Sequence, residues 1–391
     1  MKLIYFFAVL SALSPAAQGQ QLDSILKVVR LNNKTIKVFE AENQAIKVGS
    51  DIGLYPENPT VEYDVLYGKP AGAGIQKDFA ITQRFDFPTA YGHRNTLSKA
   101  RKRQMEFVSK GKIQEIMLEV KLDWLKWIHL NQLISMCELK TAIFSKLYLA
   151  YQKRMNAGEG NILELNRLRL SLLKSTSQLT EHIQLRRQLR QDFVRHTGGL
   201  SIDVNTSLYP PLGEIPSFDV LDSVIEANDP MLSGYNEEKT IARKEVALSR
   251  ALAMPMIETG YHSQAILGQK YQGIHFGLSI PLWEKKNTIK HKKLLERVTE
   301  SQIEDHLVEH RQENQLAHQH YLDATQLLNE YEMILKQLNS EALLDKALKY
   351  GEISMIQYYE QLYELYEARE TVLEYNYKQQ EAIARLLKYT L

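Results

Sequence analysis

Cysteine is all but missing from this 391-residue chain: Cys137 stands alone, so no internal disulfide can form. It sits in an apolar helical pattern, where a small buried hydrophobe is expected rather than a reactive thiol. Excess charge is missing too. The formal net charge is +1 without a basic stripe, which removes the electrostatic footprint of a nucleic-acid partner. No stretch reaches the ~20 apolar residues of a spanning helix, so no transmembrane helix is expected. A Gly-rich phosphate loop, a nucleophile elbow and a helical metalloprotease motif are all lacking, which points away from an enzyme and leaves no cofactor or catalytic metal to assign. With 44% apolar residues the chain can still hold an ordinary core.

What is present begins with Met1-Lys2, the apolar run Leu3 to Leu13 and the small-residue exit Ala17-Gln18-Gly19. That order is a cleaved secretory signal over 1–19, with a mature start at Gln20. No cysteine follows the cleavage point, so no lipid anchor is expected. Beyond it, the chain reads as one unit written twice. Adding 196 to Asn32, Ile36 and Pro59 gives Asn228, Leu232 and Pro255, whereas adding 193 to Pro88 and to Gly158-Glu159 gives Pro281 and Gly351-Glu352. A period this long signals duplication rather than a solenoid. The first repeat is set at 20–199 and the second at 217–391, with 200–216 as a linker.

Each repeat reads as a helix, two short strands and a long helical hairpin. Ile25, Leu26, Val29, Ile36 and Phe39 give one amphipathic helix over Leu22 to Val48. The period then changes to two. Strands are expected at about 59–67 and 79–87, and again at about 255–263 and 273–282, with Gln83 breaking the apolar face of the second. Alternation assigns Glu62, Asp64, Arg84 and His275 to one face and Ile274, Phe276, Leu278 and Ile280 to the other. Nine or ten residues per strand suits a tilted membrane-spanning β-strand, the former set facing a lumen and the latter lipid.

Long helical patterns follow, at Thr89 to Met155 and Glu284 to Tyr350, both free of proline. At ~1.5 Å per residue each makes a rod of ~100 Å. Ile113, Ile116, Met117, Val120, Trp124, Trp127, Ile128, Ile134 and Leu139 form the core-facing set of the first. Returning helices are expected at about 162–195 and 353–388, so the hairpins occupy about 89–197 and 284–388. Four strands cannot close a barrel, and lipid tolerates no open edge. Three chains would supply twelve strands and remove the edges.

The duplicated order, Asn58-Pro59, the run Ile81-Thr82-Gln83-Arg84-Phe85 before Pro88, the run Gly277-Leu278-Ser279-Ile280-Pro281-Leu282, and Tyr350-Gly351-Glu352-Ile353-Ser354 carry a resemblance. The chain resembles the TolC-like outer-membrane efflux channels, and loosely their heavy-metal branch, which includes CzcC and CusC. The resemblance implies a mainly α fold with a small β part: a homotrimeric 12-stranded outer-membrane β-barrel continued by a periplasmic α-helical barrel. It implies a passive exit duct in the outer membrane of a Gram-negative bacterium, working with a periplasmic adaptor and an inner-membrane pump of the RND type to export metal ions or small toxic compounds. By the same resemblance the hairpin turns, with Gly158, Glu159, Tyr350, Gly351, Glu352 and Ser354, dock the adaptor, and Glu164, Gln357 and Glu360 line a periplasmic gate. Gln357 departs from the acid expected there.

Two readings stay beside this one. A periplasmic coiled-coil adaptor or scaffold would hold the strand pairs as small soluble sheets. His306 and His310, four apart on one helix face, could share a metal, but the sequence shows no third ligand and a solvated helix face accounts for them.

Overall fold

The computed structural model describes residues 15–213, 215–283, 285–338 and 340–391. Most of the expected signal segment lies outside the described residues. The chain forms two compact units, one gathering residues up to Lys37 with Ile113–Asn228 and Arg311–Leu391, the other Val38–Lys112 with Asp229–His310.

The expected single helix from Leu22 to Val48 is two helices, α1 (Pro15–Asn32) and α2 (Lys34–Gly49). Asn33 divides them. Its Oδ1 accepts from the backbone N–H of Thr35 at 2.9 Å and of Ile36 at 3.1 Å, the bonding of an N-cap, and its Nδ2 donates to the His196 carbonyl at 2.9 Å. A short polar side chain that offers the backbone this alternative interrupts an otherwise continuous apolar periodicity.

Strands β1 (Thr60–Tyr67) and β2 (Ile75–Phe85) lead into α3 (Pro88–Asn156) and α4 (Ile162–His196). After an irregular segment come α5 (Phe218–Asn228) and α6 (Pro230–Ala251). Strands β3 (Met256–Ile266) and β4 (Gln269–Ser279) follow, and then α7 (Thr288–Gln337), α8 (Ser340–Tyr350) and α9 (Met355–Leu386). Helix α3 is continuous over 69 residues. Its counterpart, read as one run from Glu284, starts at Thr288 and is divided into α7, which ends at Gln337, and α8, which starts at Ser340.

In the first unit Met117, Val120, Trp124 and Ile128 of α3 are buried with Ile25, Val29, Leu189 and Phe193, and Ile113, Ile116 and Trp127 pack against them. Leu139, assigned to the same stripe, is instead 51% exposed. Cys137 is buried and free, and burial pushes its thiol up to about 11.

The second unit carries one antiparallel meander in the order β1-β2-β3-β4. Strand β4 begins at Gln269 rather than near 273 because Leu267 and Gly268, with φ of 49° and 79°, make a two-residue hairpin that pairs Ile266 with Gln269. Strand β2 likewise starts earlier than alternation suggested, with Ile75 opposite Tyr67. Among the described residues, no helix is long and apolar enough to cross a membrane.

Candidate channel wall and hairpin tips

Register sorts the sheet into two faces, because Cα partners on paired strands share a side. Glu62 lies opposite Ala80, Asp64 opposite Asp78, Arg84 opposite Glu258, and His275 opposite Gly260. The structure therefore places Glu62, Asp64, Arg84 and His275 together on one face. Ile274, Phe276 and Leu278 stand on the other with Val61, Tyr63 and Ile81. They are 88%, 70% and 53% exposed, whereas Ile280 falls just past the end of β4. On the polar face Arg84 Nε is 2.6 Å from Glu258 Oε2, and His275 Nε2 is 3.3 Å from the other carboxylate oxygen. Gln83, the misfit on the apolar face, donates to the Glu57 carbonyl at 2.5 Å.

Both hairpin tips use one backbone device. Gly158 donates to the Met155 carbonyl and Glu159 to that of Arg154, each at 3.0 Å, while Gly351 donates to Leu348 at 3.2 Å and Glu352 to Ala347 at 2.9 Å. These are Schellman closures, and they require the φ of 82° at Gly158 and 76° at Gly351. Glu159, Tyr350, Glu352 and Ser354 are exposed beside these turns.

Side chains then diverge. At the first tip Asn161 caps α4, accepting from Leu163 N at 2.8 Å, and Tyr151 donates to Glu164 Oε2 at 2.5 Å while accepting from Asn161 N at 2.9 Å. Burial, reinforced by the Glu164 hydrogen bond, raises the Tyr151 phenol above its ordinary value. At the second tip Ser354 and Gln357 form a capping box: Gln357 N donates to Ser354 Oγ at 3.3 Å and Ser354 N to Gln357 Oε1 at 2.9 Å. The amide at position 357, where an acid was expected, is thus occupied in starting the helix. Tyr358 donates to Asp345 Oδ1 at 2.7 Å.

Of the three residues assigned to a gate, Glu164 is held by Tyr151 and Gln357 by the capping box. Glu360 meets Arg167 Nη1 at 2.5 Å, so its charge is compensated. That pair opens a ladder between α4 and α9: Ser171 bonds the Tyr359 hydroxyl, Lys174 Nζ lies 2.5 Å from the Tyr363 hydroxyl, and deeper in, Lys140 of α3 reaches Glu370 at 2.8 Å and Glu367 at 3.4 Å. Hydrogen bonding to Tyr363 is the main cause that holds the Lys174 ammonium above its ordinary value. No motif in the sequence marks Arg167, Tyr151 or Lys140, and the partners of Arg167 and Lys140 lie 193 and 230 residues away.

No family model matches the chain, and no curated protein does. Solved structures do. CusC, described for its transmembrane channel formation, aligns with a TM-score of 0.77 at 13% identity, over 95% of this chain and 92% of that one. The outer-membrane channel OprN gives 0.81 at 11% identity over 95% and 89%. The CmeC outer-membrane channel of Campylobacter jejuni gives 0.73 at 14% over 95% and 85%. The fold is that of the outer-membrane efflux channels. At such identities the likeness fixes the path of the backbone, with four strands and two helical hairpins in one order. Cargo and partners are matters of side-chain chemistry that it leaves open.

Proposed function

We propose that the chain is the outer-membrane channel of a tripartite efflux system, a passive duct that catalyses no bond chemistry. The observation that carries this reading is the sheet: four strands with one polar face, one exposed apolar face and unpaired outer edges at β1 and β4. Hydrocarbon would cover the apolar face, and further copies would pair the edges. Three chains close twelve strands into a barrel around Glu62, Asp64, Arg84 and His275. Repeats over 20–199 and 217–391 double this to a near-sixfold helical wall reaching into the periplasm. The tips around Gly158 and Gly351 dock a periplasmic adaptor, and an RND-type inner-membrane pump supplies the energy and selects the cargo, a metal ion or small toxic compound.

Native mass measurement of the detergent-extracted protein is expected to give three chains, recovered from the outer-membrane fraction. A stable soluble monomer overturns the reading in favour of a periplasmic scaffold. Leu278→Arg would place a cation in hydrocarbon at a cost of about 2–4 kcal/mol per chain and block assembly, while His275→Arg, on the polar face, leaves the trimer intact. Equal tolerance sinks the face assignment. For the gate, the Glu164→Gln, Glu360→Gln double variant should alter single-channel conductance in a planar bilayer, because it also frees Arg167. Conductance identical to the parent would place the constriction elsewhere.

A further inference from the structure

The second unit holds a cluster that the channel reading does not use. His306 and His310 lie one turn apart on α7, and both turn Nε2 toward the same oxygen of Asp229, at 3.9 and 3.4 Å. Asp229 is 5% exposed. Its other oxygen accepts from Met231 N at 2.8 Å and so caps α6, which fixes the carboxylate. The imidazole rings are nearly parallel, with centroids 5.6 Å apart, and the Tyr235 ring packs 4.7 Å from His306. The His306 Nε2 atom is buried without a hydrogen-bond partner.

The first repeat shows what the cap alone requires. At the same offsets, Asn33 stands for Asp229, Ile113 for His306 and Met117 for His310. Asn33 caps its helix with an amide oxygen, and the two matching positions are apolar. A carboxylate and two imidazoles are therefore additional to the capping function.

We propose that Asp229, His306 and His310 bind a divalent transition-metal ion. Ligand atoms on a tetrahedral ion with bonds of ~2.0–2.2 Å stand roughly 3.3–3.6 Å apart. The His310–Asp229 separation is already in that range. As they stand, no three His, Cys, Asp or Glu side chains among the described residues are placed to hold a metal ion, this triad included. Closure would need His306 Nε2 to move in from 3.9 Å, and that ring is the more exposed of the two at 23% against 10%. Two imidazoles and one carboxylate suit Zn²⁺, Ni²⁺ or Cu²⁺ over the oxygen-seeking Ca²⁺ and Mg²⁺. The capping bond from Met231 N orients the carboxylate as an outer-shell partner does.

Zn²⁺ titration by calorimetry, on the tag-free full-length protein in detergent, tests this. One ion per chain is expected, with a rise in the thermal midpoint. His306→Ala with His310→Ala should abolish uptake. Asp229→Asn, which retains a capping oxygen as Asn33 does, should weaken it tenfold or more. The absence of Zn²⁺ uptake by the parent, or equal uptake by the double histidine variant, overturns the proposal.

Discussion

At the first tip a tyrosine of the outgoing helix, Tyr151, reaches forward to Glu164 of the returning one, whereas at the second tip Tyr358 of the returning helix reaches back to Asp345. Both turns close with the same glycine geometry, so the duplicated unit keeps its backbone device and redistributes its side chains. Position 164 carries an acid held by a phenol. Its counterpart, 357, carries an amide consumed by a capping box. The two halves thus share a scaffold, and chemistry that singles out one half is added to it.

The largest test of that difference is at Lys140. Its side chain is 1% exposed and stands between Glu367, Glu370 and the Tyr363 ring, whereas the matching residue of the second repeat, Met333, is 59% exposed. Lys140→Ala should cost about 2–3 kcal/mol by leaving Glu370 without its cation, and Met333→Ala less than about 0.5 kcal/mol. Thermal or denaturant unfolding of the detergent-extracted protein reads both. Equal losses would erase the asymmetry between the hairpins.

The shared feature predicts a smaller, matched effect. Gly158→Ala and Gly351→Ala should each destabilise by about 1 kcal/mol, from backbone strain alone, since an added Cβ would meet open space at both sites. Clearly unequal costs would show that the turns are alike only in outline.

The smallest effect is a pH dependence confined to one half. His129 is 7% exposed, stacked on Tyr377 with its Nε2 3.4 Å from Glu374, and the matching residue is the exposed Leu322. Burial lowers its pKa below the ordinary ~6.5, His182 and Lys126 add to this, and Glu374 opposes it. The unfolded chain therefore takes up the proton first. Stability present above about pH 6.5 falls as the pH drops toward the lowered value in the folded state. His129→Gln should flatten this decline, whereas Leu322→Gln should leave it as in the parent.

Much of the architecture was legible because it rests on local periodicity. Alternation sorted Glu62, Asp64, Arg84 and His275 from Ile274, Phe276 and Leu278 onto the faces that the register gives them, and the glycines marked both turns. What escaped was decided by single side chains or distant partners. Asn33 splits a helix that the apolar pattern carries through, and Leu267-Gly268 moves the start of β4 by making a tighter turn than composition suggested. Arg167 finds Glu360 across 193 residues, and Asp229 supplies the third group beside His306 and His310 from a helix far upstream. No spacing within one element announces such meetings.

The seam between β2 and β3 bears on the order in which the molecule can be made. The outer pairs, β1 with β2 and β3 with β4, are joined by short turns and can form as soon as each pair of strands is made. Pairing Phe85 with Ile257 must instead close a loop of roughly 170 residues, at a chain-entropy cost of about 4–5 kcal/mol. Until the second half has arrived, the first ribbon waits with an apolar face and two bare edges, a species prone to self-association until the later strands cover one of them.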